Sequence, residues 1–275
     1  MAHASIGGLR LFYETDGGGE GEPLLLLPGL GADHHLFDLQ RAALGRAHRL
    51  ILVDNRDAGA SDEATSPYGI AEMAQDALAI VDQLGGGRFH VLGVSMGGAI
   101  AQQVALQAPD RVASLVLVST WGRTDPFLHA VLEGWRLMIA RLTPEQFLAA
   151  QAPWVFSARF LASPTPEFAA LQAGIRERGW PRSVAAYERQ VLACLAHDAL
   201  AVLAILQTPT LVLAGEEDIL TPPRYGRALA AMLGRAELGL LTGVGHACLL
   251  ESPKPFAEKV LRFLARHSQE RGEAA

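Results

Sequence analysis

The chain has 275 residues, of which 50% are hydrophobic and 19% charged, a balance typical of a globular protein and not of a disordered one. A formal net charge of −6 at pH 7 argues against nucleic acid as a main partner. The length fits one large domain, or one domain that carries an insertion.

The sequence predicts a cytoplasmic protein. Residues 1–10 contain no basic head followed by an apolar segment, and no apolar run approaches the ~20 residues that span a bilayer. The two cysteines, Cys194 and Cys248, fit neither a CxxC motif nor a Cys/His metal pattern. Buried free thiols suit a reducing compartment. We therefore expect no signal peptide, no disulfide and no membrane partner.

Strand and helix patterns alternate along most of the chain. Residues 9–15 alternate between apolar and polar positions, which predicts an antiparallel strand. The apolar run at 24–27 is too short for a helix, lies between two prolines and is typical of a buried parallel strand. Further strands are predicted at 49–53, 89–92, 112–118, 210–214 and 236–241, and helices at 70–84, 99–107, 222–233 and 253–266. Such alternation predicts an α/β fold with a parallel sheet and helices on both faces.

The pattern changes after residue 122. Residues 125–206 offer helical segments interrupted by prolines and contain several large aromatic side chains. The sequence therefore predicts a core formed by 1–122 and 207–275, and a helical lid at 123–206 that covers the carboxyl ends of the strands. The candidates for substrate contacts at or under this lid are His34, Trp121, Phe127, Trp135 and Trp154.

The segment from Gly93 to Gly97 fits the pattern G-x-S-x-G and joins a predicted strand to a predicted helix. In so tight a turn the central Ser95 would have a strained backbone, and side chains at positions 93 and 97 would collide. Glycine at both positions removes the collision and would leave Ser95 exposed at the carboxyl edge of the sheet. The pattern alone also fits a glycine-rich turn with only a packing role.

Two side chains downstream complete a possible catalytic set. A serine hydroxyl is a poor nucleophile at neutral pH, so it needs a base and a third group that orients the base. Asp218 follows the strand at 210–214 and His246 follows the strand at 236–241. Catalytic groups of α/β proteins collect where strands end, and the chain order Ser, Asp, His is that of α/β hydrolases. Asp125 remains an alternative acid.

Over residues 9–122 and 207–267 the chain resembles the α/β-hydrolase superfamily. It is most similar to small serine carboxylesterases and enzymes like 3-oxoadipate enol-lactonase. The resemblance implies a mostly parallel eight-stranded sheet flanked by helices, with an inserted helical lid. It also implies Ser95 as the nucleophile, Asp218 as the acid, His246 as the base, and the backbone N–H groups of Leu30 and Met96 as the oxyanion hole.

The chain departs from the family pattern at two positions. The segment that begins with Asp54 matches the loop D-x-R-G-x-G-x-S, except that Asp57 replaces the first glycine. In many members a histidine precedes the glycine of the loop around Leu30, and here that residue is Pro28. The Leu30 donor is retained, whereas any supporting role of that histidine is lost.

The resemblance implies hydrolysis of a small carboxylic ester or lactone through an acyl-enzyme, with no metal or organic cofactor. A C–C bond hydrolase with the same triad and a non-catalytic ligand receptor remain alternatives. A substrate carboxylate could be held by Arg123, Arg136 or Arg159. The acidic and histidine cluster at 33–38 matches no trusted metal-ligand spacing, so we interpret it as part of the pocket rim.

Overall fold

A computed structural model of the chain describes residues 2–177 and 180–268. Its eight strands form one sheet in the order β1-β2-β4-β3-β5-β6-β7-β8. Strand β2 is antiparallel to β1 and β4, and every other neighbouring pair is parallel. The strands are β1 Ala2–Ile6, β2 Leu9–Asp16, β3 Gly21–Leu27, β4 His48–Val53, β5 Phe89–Val94, β6 Val112–Val118, β7 Thr210–Gly215 and β8 Ala236–Leu241. The predicted α/β fold with a mostly parallel eight-stranded sheet is confirmed.

Helices cover both faces of this sheet. One face packs against α2, α3 and α9, and the other against α1, α10 and α11. The helices outside the lid are α1 Asp38–Leu44, α2 Ile70–Gln83, α3 Met96–Gln107, α9 Pro223–Met232, α10 Cys248–Glu251 and α11 Pro253–Ser268.

The continuous apolar run of β3 follows from this double cover. Leu25 and Leu27 contact the α2/α3 side, Leu24 and Leu26 contact the opposite side, and all four have 0% exposure. Successive side chains of a strand point to opposite faces, so a strand covered on both faces is apolar at every position. Burial of each leucine contributes about 1.5–3 kcal/mol to the free energy of unfolding.

Residues 123–206, which we call the cap, lie between β6 and β7. The described part of the cap contains helices α4 Pro126–Ile139, α5 Pro144–Val155, α6 Ala158–Ala162, α7 Pro166–Glu177 and α8 Val184–Leu195, and no strand. Proline stands at the first position of α4, α5 and α7, where its missing N–H costs nothing. The prolines of the cap therefore start helices as well as separate them.

Three of the strands and helices outside the cap were not predicted from the sequence: β1, α1 and the four-residue helix α10. Strand β1 has a weakly apolar sequence at the edge of the sheet and is held by pairing with β2. Helix α1 has only seven residues, too few for a helical period to be recognised. The prediction of buried free thiols is confirmed, since Cys194 and Cys248 are buried and unpaired. Among the described residues, no helix combines the length and the apolar character required to cross a bilayer.

Candidate active site

The turn between β5 and α3 has the strained geometry expected of a nucleophile elbow. Ser95 has φ 56° and ψ −119°, outside the regions that residues with a side chain normally occupy. A Cβ atom at Gly93 would lie 2.0 Å from the carbonyl oxygen of Gly97, and a Cβ at Gly97 would lie 2.0 Å from that of Leu27. Only glycine fits at either position, so packing on both sides maintains the strain.

Hydrogen bonds from β6 and its loop fix the backbone of Ser95. The N–H of Ser95 donates to the carbonyl of Val118 at 2.9 Å. Thr120 Oγ1 donates to the carbonyl of Ser95 at 2.7 Å. Ser95 lines a cavity of about 940 Å³, so a rigid backbone presents the hydroxyl to this cavity.

His246 and Asp218 form a buried pair at the adjacent strand ends. His246 Nδ1 lies 2.9 Å from Asp218 Oδ2, and the two residues are 6% and 2% exposed. The other carboxylate oxygen accepts the N–H groups of Leu220 and Thr221 at 2.9 and 2.8 Å. Ionised carboxylates only accept hydrogen bonds, so Nδ1 carries the proton and Nε2 is left as the basic nitrogen.

Thr221 is a member of this site that the sequence analysis missed. Its Oγ1 donates to Asp218 Oδ2 at 2.8 Å and lies 3.0 Å from His246 Nδ1. The available signal was a hydroxyl residue three positions after the predicted acid. Thr221 therefore gives Asp218 a third donor besides the imidazole and restricts its rotation.

The structure brings Asp218, and not Asp125, to the imidazole. Asp125 caps α4 by accepting the N–H of Leu128 at 2.9 Å, and it also accepts the phenol of Tyr225. Asp125 therefore acts as a helix cap, and its hydrogen bonds are accounted for without a catalytic role.

Ser95 and His246 line the same cavity. Among the described residues, Ser95 Oγ makes no hydrogen bond with the imidazole, so a change in their distance or orientation is needed before a proton can pass. Catalytic hydrogen bonds of unliganded sites are commonly long and tighten when substrate binds.

The two backbone donors expected of an oxyanion hole are both available. Within residues 2–177 and 180–268, no acceptor is hydrogen-bonded to the N–H of Leu30 or Met96. Met96 is the first residue of α3, where a helix N–H has no partner within the helix and the helix dipole favours negative charge. Leu30 lies in the loop after β3 and lines the cavity beside Ser95.

The cavity measures about 940 Å³ and lies between the strand ends and the cap. Its lining is mainly apolar on the cap side and near Ser95, with side chains that include Val94, Trp135, Leu148, Val155, Leu220 and Leu249. Its outer part is polar, where Arg41 pairs with Glu14 at 3.0 Å and with Asp38 at 2.8 Å. The space is that of a small-molecule site with a few polar groups.

Of the five predicted substrate contacts, His34 and Trp135 line this cavity. Trp121 is 2% exposed and faces only a recess of about 10 Å³ beside Ser95. Phe127 is 39% exposed, and the guanidinium carbon of Arg224 lies 5.0 Å from the centroid of its ring. Trp154 is half-buried and packs against the core. The last three lie outside the lining of the main cavity. Trp121 is packed in the core after β6, whereas the exposure of Phe127 and Trp154 depends on which face of each cap helix is turned inward.

His34 is tied to the loop after β4. Its Nδ1 lies 2.7 Å from Asp54 Oδ1, and its N–H donates to the same oxygen at 2.8 Å. Burial alone would lower the pKa of His34, but the hydrogen bond and the charge of Asp54 outweigh it and raise that pKa. Of its neighbours in the cluster at 33–38, His35 Nδ1 is bonded to Asp38 at 2.9 Å.

The predicted carboxylate-binding arginines lie elsewhere. Arg123 is paired with Asp198 at 2.9 Å and Arg136 with Glu133 at 2.9 Å. Neither they nor Arg159 belong to the cavity lining, which instead contains Arg41 and Arg182.

Asp57, where the resemblance leads one to expect glycine, adopts φ 70°. Its side chain has 0% exposure and forms two hydrogen bonds with Arg189 of the cap, at 2.8 and 2.6 Å. It also accepts the phenol of Tyr68 at 2.7 Å and the N–H of Ala64 at 2.8 Å. Four donors thus hold a residue in a conformation that glycine adopts more readily, and they join the cap to the core.

A second junction between cap and core involves Glu251. Its Oε1 accepts the N–H of Gly245, next to His246, at 3.1 Å and the N–H of Ser157 in the cap at 2.9 Å. The N–H of Ala247 donates to the carbonyl of Val155 at 2.9 Å. The loop that carries the imidazole is therefore bonded directly to the cap.

The sequence model of the family described as "alpha/beta hydrolase fold" matches residues 22–253. The chain belongs to this family. The α/β hydrolase is 31% identical to a protein of Azorhizobium caulinodans named "Putative carbamate hydrolase RutD", over 98% of the chain and 100% of that protein.

Solved structures give the same family. A hydrolase from Pseudomonas aeruginosa PA01 has a TM-score of 0.86 and 30% identity, covering 96% of this chain and 97% of the other. An enol-lactonase from Burkholderia xenovorans LB400 has a TM-score of 0.87 and 26% identity, covering 96% and 99%. The α/β hydrolase thus shares its fold with a hydrolase and an enol-lactonase over 96% of the chain.

Proposed function

We propose that this α/β hydrolase cleaves a small carboxylic ester or lactone in the cytoplasm through an acyl-enzyme on Ser95. The observation that carries the proposal is the convergence of a strained Ser95 and the His246–Asp218 pair on one cavity. The apolar lining and the cap favour a small organic substrate over a polymer. The similarity to an enol-lactonase supports the same class of reaction.

In the proposed mechanism, His246 Nε2 takes the proton of Ser95 Oγ as the oxygen attacks the substrate carbonyl. Asp218 keeps the imidazole in the required tautomer and stabilises the imidazolium. The N–H groups of Leu30 and Met96 hold the negative oxygen of the tetrahedral intermediate, each contributing roughly 3 kcal/mol to lowering the barrier. His246 then protonates the leaving group, and an activated water releases the acid from Ser95.

A carbamate is the second candidate substrate, favoured by the relative whose name describes a carbamate hydrolase. Ser95 would attack the carbamate carbonyl with the same base and the same two N–H donors. The chemistry of the site therefore fits both substrates, and the preference between them depends on how well each fits the cavity lining.

The test is a panel of p-nitrophenyl acetate, p-nitrophenyl butyrate, an aryl carbamate and simple lactones. We expect turnover that falls by at least about 10⁴-fold in Ser95→Ala and is unchanged in Ser5→Ala, a matched serine that is exposed on β1. A fluorophosphonate probe should add its mass to Ser95 alone. Tight ligand binding without Ser95-dependent turnover would overturn the proposal, and preference for the carbamate would select the second substrate.

A further inference from the structure

The cap is hydrogen-bonded to the backbone of one residue, Gly31, in the loop that carries the proposed oxyanion donor. Gln190 Oε1, on α8, accepts the N–H of Gly31 at 2.8 Å. Trp180 Nε1 donates to the carbonyl of the same residue. Both polar groups of Gly31 are thus hydrogen-bonded to side chains of the cap, although Gly31 belongs to the core.

The same loop is also held by the core residue Asn55 and by a hydrogen bond within the loop. Asn55 Nδ2 donates to the carbonyl of Pro28 at 3.1 Å, and the N–H of Ala32 donates to the carbonyl of Gly29 at 3.1 Å. Leu30, whose N–H is the proposed donor, lies between a peptide fixed by the core and a peptide fixed by the cap. The direction of that N–H therefore depends on the cap contact as well as on the core.

The side chain of Gln190 is held rigidly at this contact. It has 0% exposure, and its Nε2 donates to the carbonyl of Arg56 at 2.8 Å. Both ends of the amide are used, so the side chain cannot turn. The loop also lies directly against α8, because a Cβ at Gly31 would come within 2.9 Å of the Tyr187 ring.

We propose that Gln190 is a positioning residue that makes the oxyanion hole complete only when the cap is docked on the core. The proposal rests on the proposed acyl-transfer function. Without the amide, the Gly31 peptide loses its acceptor and the N–H of Leu30 is no longer held where the oxyanion develops. Because that donor acts on the transition state and not on the bound substrate, the loss should fall on kcat and leave KM nearly unchanged.

The decisive variant is Gln190→Met, which keeps the length of the side chain and removes both hydrogen bonds. We expect kcat to fall by about 10- to 100-fold, somewhat less than complete loss of an oxyanion donor. A trifluoromethyl ketone forms a tetrahedral oxyanion on Ser95, so its Ki should rise by the same factor. The matched methyl ketone, which binds without that oxyanion, should keep its Ki.

The control is Gln102→Met, on α3. Gln102 also has 0% exposure and two hydrogen bonds, to the Trp121 carbonyl at 2.9 Å and to His197 at 3.2 Å. Its amide does not touch the loop at 28–31, so this variant should lower the melting temperature comparably and leave kcat unchanged.

The second variant, Trp180→Phe, removes the Nε1–H donor together with part of the indole and keeps an aromatic ring near Phe147 and Tyr187. We expect kcat to fall by about 3- to 10-fold, the effect of one hydrogen bond. If Gln190→Met does not fold, the kcat of Trp180→Phe tests whether the cap contacts of Gly31 position the Leu30 donor.

Unchanged kcat in the folded variants, a loss confined to KM, or an equal kcat loss in Gln102→Met would overturn the inference alone. Absence of Ser95-dependent turnover in the unmodified enzyme would overturn the proposed function, and the inference with it.

Discussion

The pairing of Asp57 with Arg189 offers a quantitative test of how the cap is attached. The Asp57 side chain has 0% exposure and that of Arg189 has 18%, and two hydrogen bonds join them. We consider Asp57→Asn, which preserves the shape of the side chain and removes its charge. The guanidinium then remains in a largely buried position without its closest counter-charge.

Breaking a buried ion pair by changing one partner costs about 3–5 kcal/mol. Because Arg189 retains some contact with solvent and lies 3.5 Å from Glu63, we expect the free energy of unfolding to fall by about 3 kcal/mol, the lower end of this range. At roughly 2.1 cal/mol/K per residue, the unfolding entropy of this chain is about 0.6 kcal/mol/K. The melting temperature should therefore fall by about 5 °C.

The assay is urea and thermal unfolding of Asp57→Asn, Arg189→Met and the double variant. The double variant should be more stable than the sum of the single changes indicates, since no lone charge is left buried. Glu237→Gln, in the half-exposed pair with Arg266, is the control and should cost at most about 1 kcal/mol. If Asp57→Asn were as mild as this control, the buried pair would not join cap and core as argued.

Three further outcomes follow from the structure. Gly97→Ala should abolish soluble expression or lower the melting temperature by far more than Gly134→Ala, because a Cβ at Gly97 would lie 2.0 Å from backbone whereas one at Gly134 would meet open space. Equal melting temperatures of the two variants would refute the steric argument. Asp218→Asn should lower kcat by about 10⁴-fold with KM unchanged, as measured on a p-nitrophenyl ester; near-normal kcat would transfer the role of acid to another residue. Burial lowers the pKa of His197 to about 4, so the free energy of unfolding should fall as pH falls from about 6.5 towards 4, by about 2 kcal/mol at pH 5. The free energy of unfolding of His197→Gln, measured in urea, should depend less on pH, and an unchanged pH dependence would contradict this.

The sequence predicted the parts of the fold that carry a local signal. The apolar run at 24–27 and the helical period at 70–84 each reflect burial that repeats within a few residues, and both elements are present. Ser95, Asp218 and His246 could be named as candidates because each follows a strand and their chain order is distinctive. Helix α1 and strand β1 lack such a signal, because α1 is short and β1 depends on its partner strand.

The contacts that complete the site could not be found in this way. Gln190 and Gly31 are 159 positions apart, and Ser157 and Glu251 are 94 apart. Glutamine in a helix usually indicates a solvated face, and only the docked cap turns this one inward. Phe127 was a predicted substrate contact for the opposite reason: its aromatic character suggested burial, whereas its position on α4 leaves it 39% exposed.

The bond network of Glu251 has a consequence for protein engineering. Its carboxylate holds the segment beside the imidazole and the start of α6 together, so a foreign cap transplanted onto this core would disturb the proposed base, His246, even if it left the substrate space intact. Because Ser157 Oγ also donates to Glu251 Oε2, a successful chimera would have to bring its own hydroxyl residue to position 157. Broader specificity is therefore better sought by replacing single side chains inside the cavity than by exchanging the whole segment.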